Sequence, residues 1–256
     1  MYAFSMFGRQ GDVIWSLWYC RQRSEGRPFD YYLQTNVPDA HDPGGRKVFM
    51  TRENAEYIAS IMREQPYIRN LTIGDAEYVP ASDISRYIVL DLFRQLPEPY
   101  TFSEIRYWTY RLSSLKPVGL DRPVLTVPES DIEPTQKILI CFTPRYKPAV
   151  SPMVLAPFRD HLLYVGLKSE YDKFCADYFD VDYRPVASGK EILQLAQKSA
   201  GYIGNISGQY ALMEAAAIPR LLCLPPGGGD VRCYCPNGIG VMDKHKLLMG
   251  VESLLG

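Results

Sequence analysis

The sequence predicts an α/β protein of two halves, each built on a parallel sheet wound by helices. Three observations predict it. Residues 137–224 alternate strand-sized apolar runs with segments of helical period, the pattern of a doubly wound parallel sheet. Each half carries a glycine-containing turn where a buried strand ends and a helix begins, at Gly8–Asp12 and at Gly204–Gly208. Between them, Pro and Gly recur at short intervals over residues 117–134, as a linker does. The expected domains are residues 1–125 and 126–256.

In chain order, Tyr2–Met6 reads as a strand, and apolar residues from Val13 onward recur at helical spacing until Gly26 and Pro28. Phe29–Gln34 is a second strand, 36–45 a loop, and Thr51 opens a helix to about Glu64. Tyr67–Ile73 is a third strand, and Ser82–Leu96 and Ser103–Leu115 are expected as helices. In the second half, strands are expected at Lys137–Phe142, His161–Gly166, Val181–Val186, Gly201–Asn205 and Arg220–Leu224. Helices are expected at Ser169–Phe179, after Ser188, at Ser207–Ala217 and over Asp243–Leu254. Ser188 and Glu191 have capping-box spacing, each able to satisfy a backbone amide near the helix start.

With 46% hydrophobic residues in 256, the chain has enough apolar material for real cores. Lys and Arg number 28 against 29 Asp and Glu, so net charge supplies no drive toward a polyanion, although a local basic patch would not show. The longest apolar runs are strand-sized, which predicts no membrane span, and polar residues from Gly8 to Asp12 interrupt any secretory signal. A cytoplasmic protein is expected. Four of the six cysteines sit in apolar periodic segments; Cys233 and Cys235 are close together but lack further ligands at metal-site spacing, so no metal is expected.

Two turns could carry chemistry. In Gly204-Asn205-Ile206-Ser207-Gly208-Gln209, small residues let a ligand approach the backbone where helix amides are unpaired, an arrangement suited to phosphate. Glu214, two turns on, could reach a ribose diol. The same residues also describe a tight turn with Ser207 as cap and Glu214 solvated. Gly8–Asp12 falls short of a dinucleotide fingerprint. Asp12 there could cap the helix, worth about 1 kcal/mol, or take a proton from an acceptor hydroxyl; spacing alone favours the cap. Arg94, Arg106, Arg111 and Lys116 lie among Tyr100, Phe102, Tyr107, Trp108 and Tyr110. They could stack on sugars or bases, or form helices with aromatics inward and arginines solvated. Gly227–Asp230 reads as a lid or a plain surface loop.

Gly11-Asp12-Val13-Ile14-Trp15-Ser16-Leu17 resembles the opening of the ADP-heptose:lipopolysaccharide heptosyltransferase family. Gly204 to Leu212, running on to Ala217-Ile218-Pro219, is similar to that family's Gly-Asn-Asp-Ser-Gly-Pro-x-His-Leu stretch ending in Gly-Ile-Pro. His161–Gly166 falls where the family has a strand ending in Gly. The resemblance covers much of the second half and the first thirty or so residues, but not about 35–125. It implies a GT-B fold, with two Rossmann-like domains facing a cleft, donor on the second and acceptor on the first, and no required metal. It implies Asp12 as general base, Ser207 and Gly208 against the donor diphosphate, and Arg145 or Lys147 neutralising phosphate. Ile206, Gln209 and Ala211 stand where the family has Asp, Pro and His.

The expected function is transfer of a sugar from a nucleotide-diphosphate sugar to a hydroxyl, with no cofactor. The acceptor would be a glycan, a lipopolysaccharide, or a hydroxylated DNA base in a phage-type enzyme. Donor residues would be Arg145, Lys147, Asn205, Ser207, Gly208, Gln209 and Glu214, with Asp12 catalytic. The alternative is a non-catalytic GT-B-like module that binds a nucleotide, a sugar or a protein.

Overall fold

The computed structural model describes residues 2–39, 48–75, 87–95, 105–229 and 231–256. The chain divides into two compact units, Met1–Leu120 with Val124–Thr126, and Asp121–Pro123 with Val127–Gly256.

The first unit contains strands β1 (Ala3–Met6), β2 (Phe29–Thr35), β3 (Ile68–Asp75) and β4 (Ile88–Val89), all parallel, in the order β3-β2-β1-β4. Helix α1 (Gln10–Arg23) links β1 to β2, and α2 (Arg52–Met62) precedes β3. Every residue from Val13 to Cys20 in α1 is buried, so this helix is enclosed on all sides rather than half-exposed. Thr51 caps α2 by accepting a bond from the Asn54 amide.

Two expected helices fold otherwise. Of Ser82–Leu96, residues 82–86 lie outside the described residues; Ile88–Val89 is a strand and Leu90–Gln95 a 3-10 helix. Of Ser103–Leu115, the described part is a short helix, α3 (Ile105–Trp108), followed by a 3-10 turn, Thr109–Leu112. Tertiary pairing explains the first change. Ile88 and Val89 complete the ladder beside Phe4 and Ser5 of β1, and a bond from the Phe7 amide to Asp91 continues it. Those non-local bonds outweigh a local helical spacing.

The second unit contains β5 (Ile138–Cys141), β6 (Leu162–Val165), β7 (Asp182–Arg184), β8 (Gly201–Gly204), β9 (Arg220–Cys223) and β10 (Gly238–Val241). All pairs are parallel, in the order β10-β9-β8-β5-β6-β7. Numbered within the unit, this is the 3-2-1-4-5-6 order of a Rossmann sheet, and β5 and β8 flank the point where the winding reverses. Helices α4 (Lys168–Asp177), α5 (Gly189–Gln197), α6 (Gly208–Ala215) and α7 (Lys244–Leu255) complete it. At α5, Ser188 accepts from the Glu191 amide as expected, while the Glu191 carboxylate accepts from the Ala187 amide, one residue before the cap.

Two elements were not expected. Pro152–His161 forms a 3-10 helix, in a stretch whose prolines at 152 and 157 disfavour an α-helix. β10 is a short, glycine-rich edge strand whose Ile239 is exposed and whose Val241 is buried. Its Gly238 is required, because a Cβ there would lie 2.7 Å from the Arg220 guanidinium carbon. No helix among the described residues is long and apolar enough to cross a membrane.

Candidate functional site

At the carboxyl edge of the second sheet, the loop after β5 and one face of α4 enclose a pocket of about 390 Å³. Such crevices beside a topological switch point are where ligands bind in open α/β sheets. Lys147 lines the pocket from the loop, with Phe142 and Thr143 at the strand end and Asn205 from the end of β8. Opposite them stand Glu170, Lys173, Phe174, Asp177 and Tyr178. Lys173 is paired with Asp177 at 2.9 Å, whereas Lys147 is exposed and has no carboxylate partner among the described residues. Arg145 is exposed on the same loop, its guanidinium over the Tyr146 ring at 4.9 Å, and does not line the pocket.

Asn205 fixes this loop. Its Oδ1 accepts from the Thr143 amide (2.9 Å), and its Nδ2 donates to the carbonyls of Thr143 (2.7 Å) and Tyr146 (2.6 Å). The residue is fully buried at the edge of the pocket it helps to line, and all three of these bonds hold the loop that carries Arg145 and Lys147. The far side of the loop is tied by a bond from the Ala149 amide to the Leu224 carbonyl.

Ser207 is the N-cap of α6, accepting from the Tyr210 amide at 3.0 Å. The amides of Gly208 and Gln209 lie ahead of the capped one, where a helix start leaves donors without intrahelical partners. Ser207, Gly208 and Gln209 are half-buried and do not line the pocket. Gly204 belongs to the same turn: a Cβ there would collide with the Tyr202 hydroxyl and the Cys141 carbonyl. Burial pushes the pKa of that Tyr202 hydroxyl far up, so it stays neutral.

Glu214 does not face a ligand. It is completely buried and cannot reach a ribose. Its Oε2 accepts from Arg220 Nε (2.7 Å), from Arg220 Nη2 and from the Tyr210 hydroxyl (3.1 Å). Its Oε1 accepts from the amides of Tyr234 (2.9 Å) and Cys235 (2.8 Å). Arg220, also fully buried, bonds the carbonyls of Ile218, Cys235 and Pro236 as well. Burial by itself would lower the pKa of Arg220, but Glu214 outweighs it and holds the value above its usual range. The pair staples the segment before β10 to β9, where ligand contact is impossible.

In the first unit, Asp12 is not the helix cap. Arg9 occupies the N-cap position, and Asp12, three residues on, reaches back so that its Oδ2 accepts from the Arg9 amide at 3.0 Å. The same oxygen accepts from Arg94 Nη2 at 2.6 Å. Arg94 also donates through Nε to Asp91 (3.2 Å), whose other oxygen accepts from the Phe7 amide (2.7 Å). Burial, which the Arg94 charge and the Phe7 bond only partly offset, pushes the Asp91 pKa up to about 6. These groups meet where β1 and β4 diverge, the switch point of the first sheet.

Arg94 therefore does not belong to a solvated or base-stacking patch. Trp108 and Tyr110 are buried, and the Tyr110 hydroxyl donates to Gln22 at 2.9 Å. Tyr100 and Phe102 lie outside the described residues. Gly227, Gly228 and Gly229 all have positive φ, and Arg232 Nη1 donates to the carbonyls of Gly228 and Gly229 at 2.9 Å, which closes the turn on itself. Asp230 lies outside the described residues. No group of three or more His, Cys, Asp or Glu among the described residues is placed to hold a metal ion.

No family model matches the chain, and no curated protein sequence matches it. Solved structures do. The chain superposes on the heptosyltransferase WaaC of E. coli with ADP at a TM-score of 0.62 and 10% identity, covering 99% of this chain and 100% of that one. For a glycosyl transferase family 9 protein from Veillonella parvula the values are 0.60 and 12%, over 99% and 97%. For the E. coli ADP-heptose lipopolysaccharide heptosyltransferase II they are 0.58 and 12%, over 100% and 98%. The fold is that of a GT-B glycosyltransferase.

Of the charged residues that line the pocket, the sequence pointed to Lys147 and not to those on α4. A signal was present. Glu170, Lys173, Phe174, Asp177 and Tyr178 fall at i, i+3, i+4, i+7 and i+8, one helical face, on a helix that starts at the sheet's carboxyl edge. For Asp91 and Arg94 there was no such signal, because their partner is some eighty residues away.

Proposed function

We propose that the chain is a cytoplasmic glycosyltransferase that uses a nucleotide-diphosphate sugar and no other cofactor, with residues 126–256 holding the donor and 1–125 the acceptor. The observation that carries this reading is the pocket at the carboxyl ends of β5 and β8, with Lys147, which has no carboxylate partner among the described residues, in its wall. A pocket of about 390 Å³ suits a nucleotide-sized ligand. Lys147 and Arg145, on the loop fixed by Asn205, and the amides at Gly208 and Gln209 would meet the diphosphate charge as it departs. The structural neighbours include one with bound ADP and another with an ADP-heptose analogue, which supports a nucleotide-sugar donor. The six cysteines are free thiols, which suits a reducing compartment.

In this reading an acceptor hydroxyl gives its proton to Asp12 as its oxygen bonds the anomeric carbon. The bond from that carbon to the diphosphate breaks, and the electron pair leaves with the nucleotide. Asp12 Oδ2 already has two donors, and no hydrogen bond to Oδ1 occurs among the described residues, so Oδ1 is the oxygen that would receive the proton. Acceptors that fit are glycans, lipopolysaccharide or a hydroxylated base. A thermal-shift screen against ADP-, UDP- and GDP-sugars is the first test, since a ligand at a hundred times its Kd stabilises the native state by about 2.7 kcal/mol. Asp12→Asn should then abolish transfer while donor affinity and melting temperature hold; full activity in that variant removes Asp12 from the mechanism.

A non-catalytic binder is the second reading, favoured by Ile206 and Ala211. Both are buried, and they stand where the resembled family has Asp and His. Release of nucleoside diphosphate from a bound donor separates the two, because a pure binder releases none.

A further inference from the structure

The Asp12–Arg94–Asp91 cluster is more than a helix cap requires. The bond from the half-buried Arg9 amide to Asp12 already supplies the reach-back contact of a helix start. Arg94 adds a mostly buried guanidinium lying over two rings, Phe49 at 4.9 Å and Phe93 at 4.7 Å. It is shared between two carboxylates with side-chain exposures of 13% and 1%, so the cluster holds more negative than positive charge. Burying such a group is a poor route to stability, since desolvation offsets much of the attraction. The crevice is also built around it: a Cβ on Gly8 would lie 2.9 Å from Asp12 Cβ and 3.0 Å from Arg94 Nη2.

We propose that Arg94 is a positioning residue, anchored by Asp91, that locks the Asp12 carboxylate through Oδ2 and so presents Oδ1 to the acceptor. This rests on the reading of Asp12 as base. Asp91 fastens the device to the β1–α1 turn through the Phe7 amide, so one cluster sets both the turn and the carboxylate it carries. The other groups facing it are Arg9, paired with Asp39 at 2.7 Å, and from β2 the Tyr31 hydroxyl, which burial keeps neutral. Burial raises the Asp91 pKa to about 6, so below that pH the anchor of Arg94 loses its charge, the lock on Asp12 loosens and the rate falls.

The test uses the full chain and the activated sugar giving the largest thermal shift among ADP-heptose, ADP-glucose, UDP-glucose and GDP-mannose, with release of nucleoside diphosphate as the readout. Arg94→Met should lower kcat about 10²-fold, the scale of loss for a misplaced catalytic group, with KM for the donor nearly unchanged. Arg94→Lys should recover at least about tenfold of that by restoring a charged donor. Asp91→Asn should remove the acid limb near pH 6. Near wild-type kcat in Arg94→Met, with Asp12→Asn inactive, overturns the proposal. Full activity in Asp12→Asn instead overturns the reading of Asp12 as base. A crystal structure of Arg94→Met decides independently of turnover: the Asp12 carboxylate should leave its place against the Arg9 amide, and an unmoved carboxylate refutes the positioning role.

Discussion

Replacing Glu214 by Gln probes the buried ion pair at the heart of the second unit. Glutamine has nearly the same shape, and its Oε1 can still accept from the amides of Tyr234 and Cys235. Its amide nitrogen, however, would face Arg220 Nε and Nη2, donor against donor, in place of a carboxylate. Arg220 would then be a fully buried cation without a counter-charge. Breaking a buried pair in this way costs about 3–5 kcal/mol, against a total stability of roughly 5–15 kcal/mol for a domain. At a few degrees per kcal/mol, the melting transition of this unit should fall by roughly 10–20 °C by calorimetry or circular dichroism. Glu214→Gln combined with Arg220→Met should recover more than half of the loss, because the uncompensated charge is gone. Below the new transition, donor affinity should match wild type. A variant with an unshifted transition but weakened donor binding would refute the structural role and return Glu214 to the ligand site.

Asn205→Ala should weaken donor binding and cost about 2–4 kcal/mol, as two carbonyls and one amide of the 143–146 loop lose their partner; unchanged affinity by calorimetric titration would show that the loop holds itself. Lys147→Ala should lower donor affinity without moving the melting temperature, and Arg145→Ala should do so more weakly since it lies outside the pocket wall. Equal affinities in both variants and wild type place the diphosphate elsewhere. Asp91 has a folded pKa above its unfolded value, so between about pH 4 and pH 6 the native state holds the extra proton and stability falls as pH rises. The contribution is about 3 kcal/mol at two pH units. The stability difference between wild type and Asp91→Asn should change across that window, and a flat difference by chemical denaturation contradicts the burial argument.

Much of the second unit was legible in the sequence because its signals are local. Apolar runs such as Ile138–Phe142 need burial on both faces, and the helical segments between them carry one apolar stripe; that alternation admits a parallel sheet and little else. The caps at Thr51, Ser188 and Ser207 were readable for the same reason, since each cap bonds an amide three residues away. The edge strand Gly238–Val241 was not, because its fitness for the sheet comes from lying beside β9 and over Arg220 rather than from its own pattern.

The fate of each charged residue was decided only by tertiary structure. The sequence determined that Asp12 and Asn205 lie just beyond strand ends, where ligands bind, and that Glu214 lies further along the helix that follows one. It did not contain their partners, since Arg94, the Thr143–Tyr146 loop and the Tyr234–Cys235 amides are all distant along the chain. Glu214 and Asn205 became internal ties because packing removed them from water, where an unpaired polar group is costly and a satisfied one is fixed in place. Lys147 stayed in a pocket wall without a carboxylate beside it among the described residues. Periodicity states which face of an element is buried; only the packed fold states which charge waits on the other side.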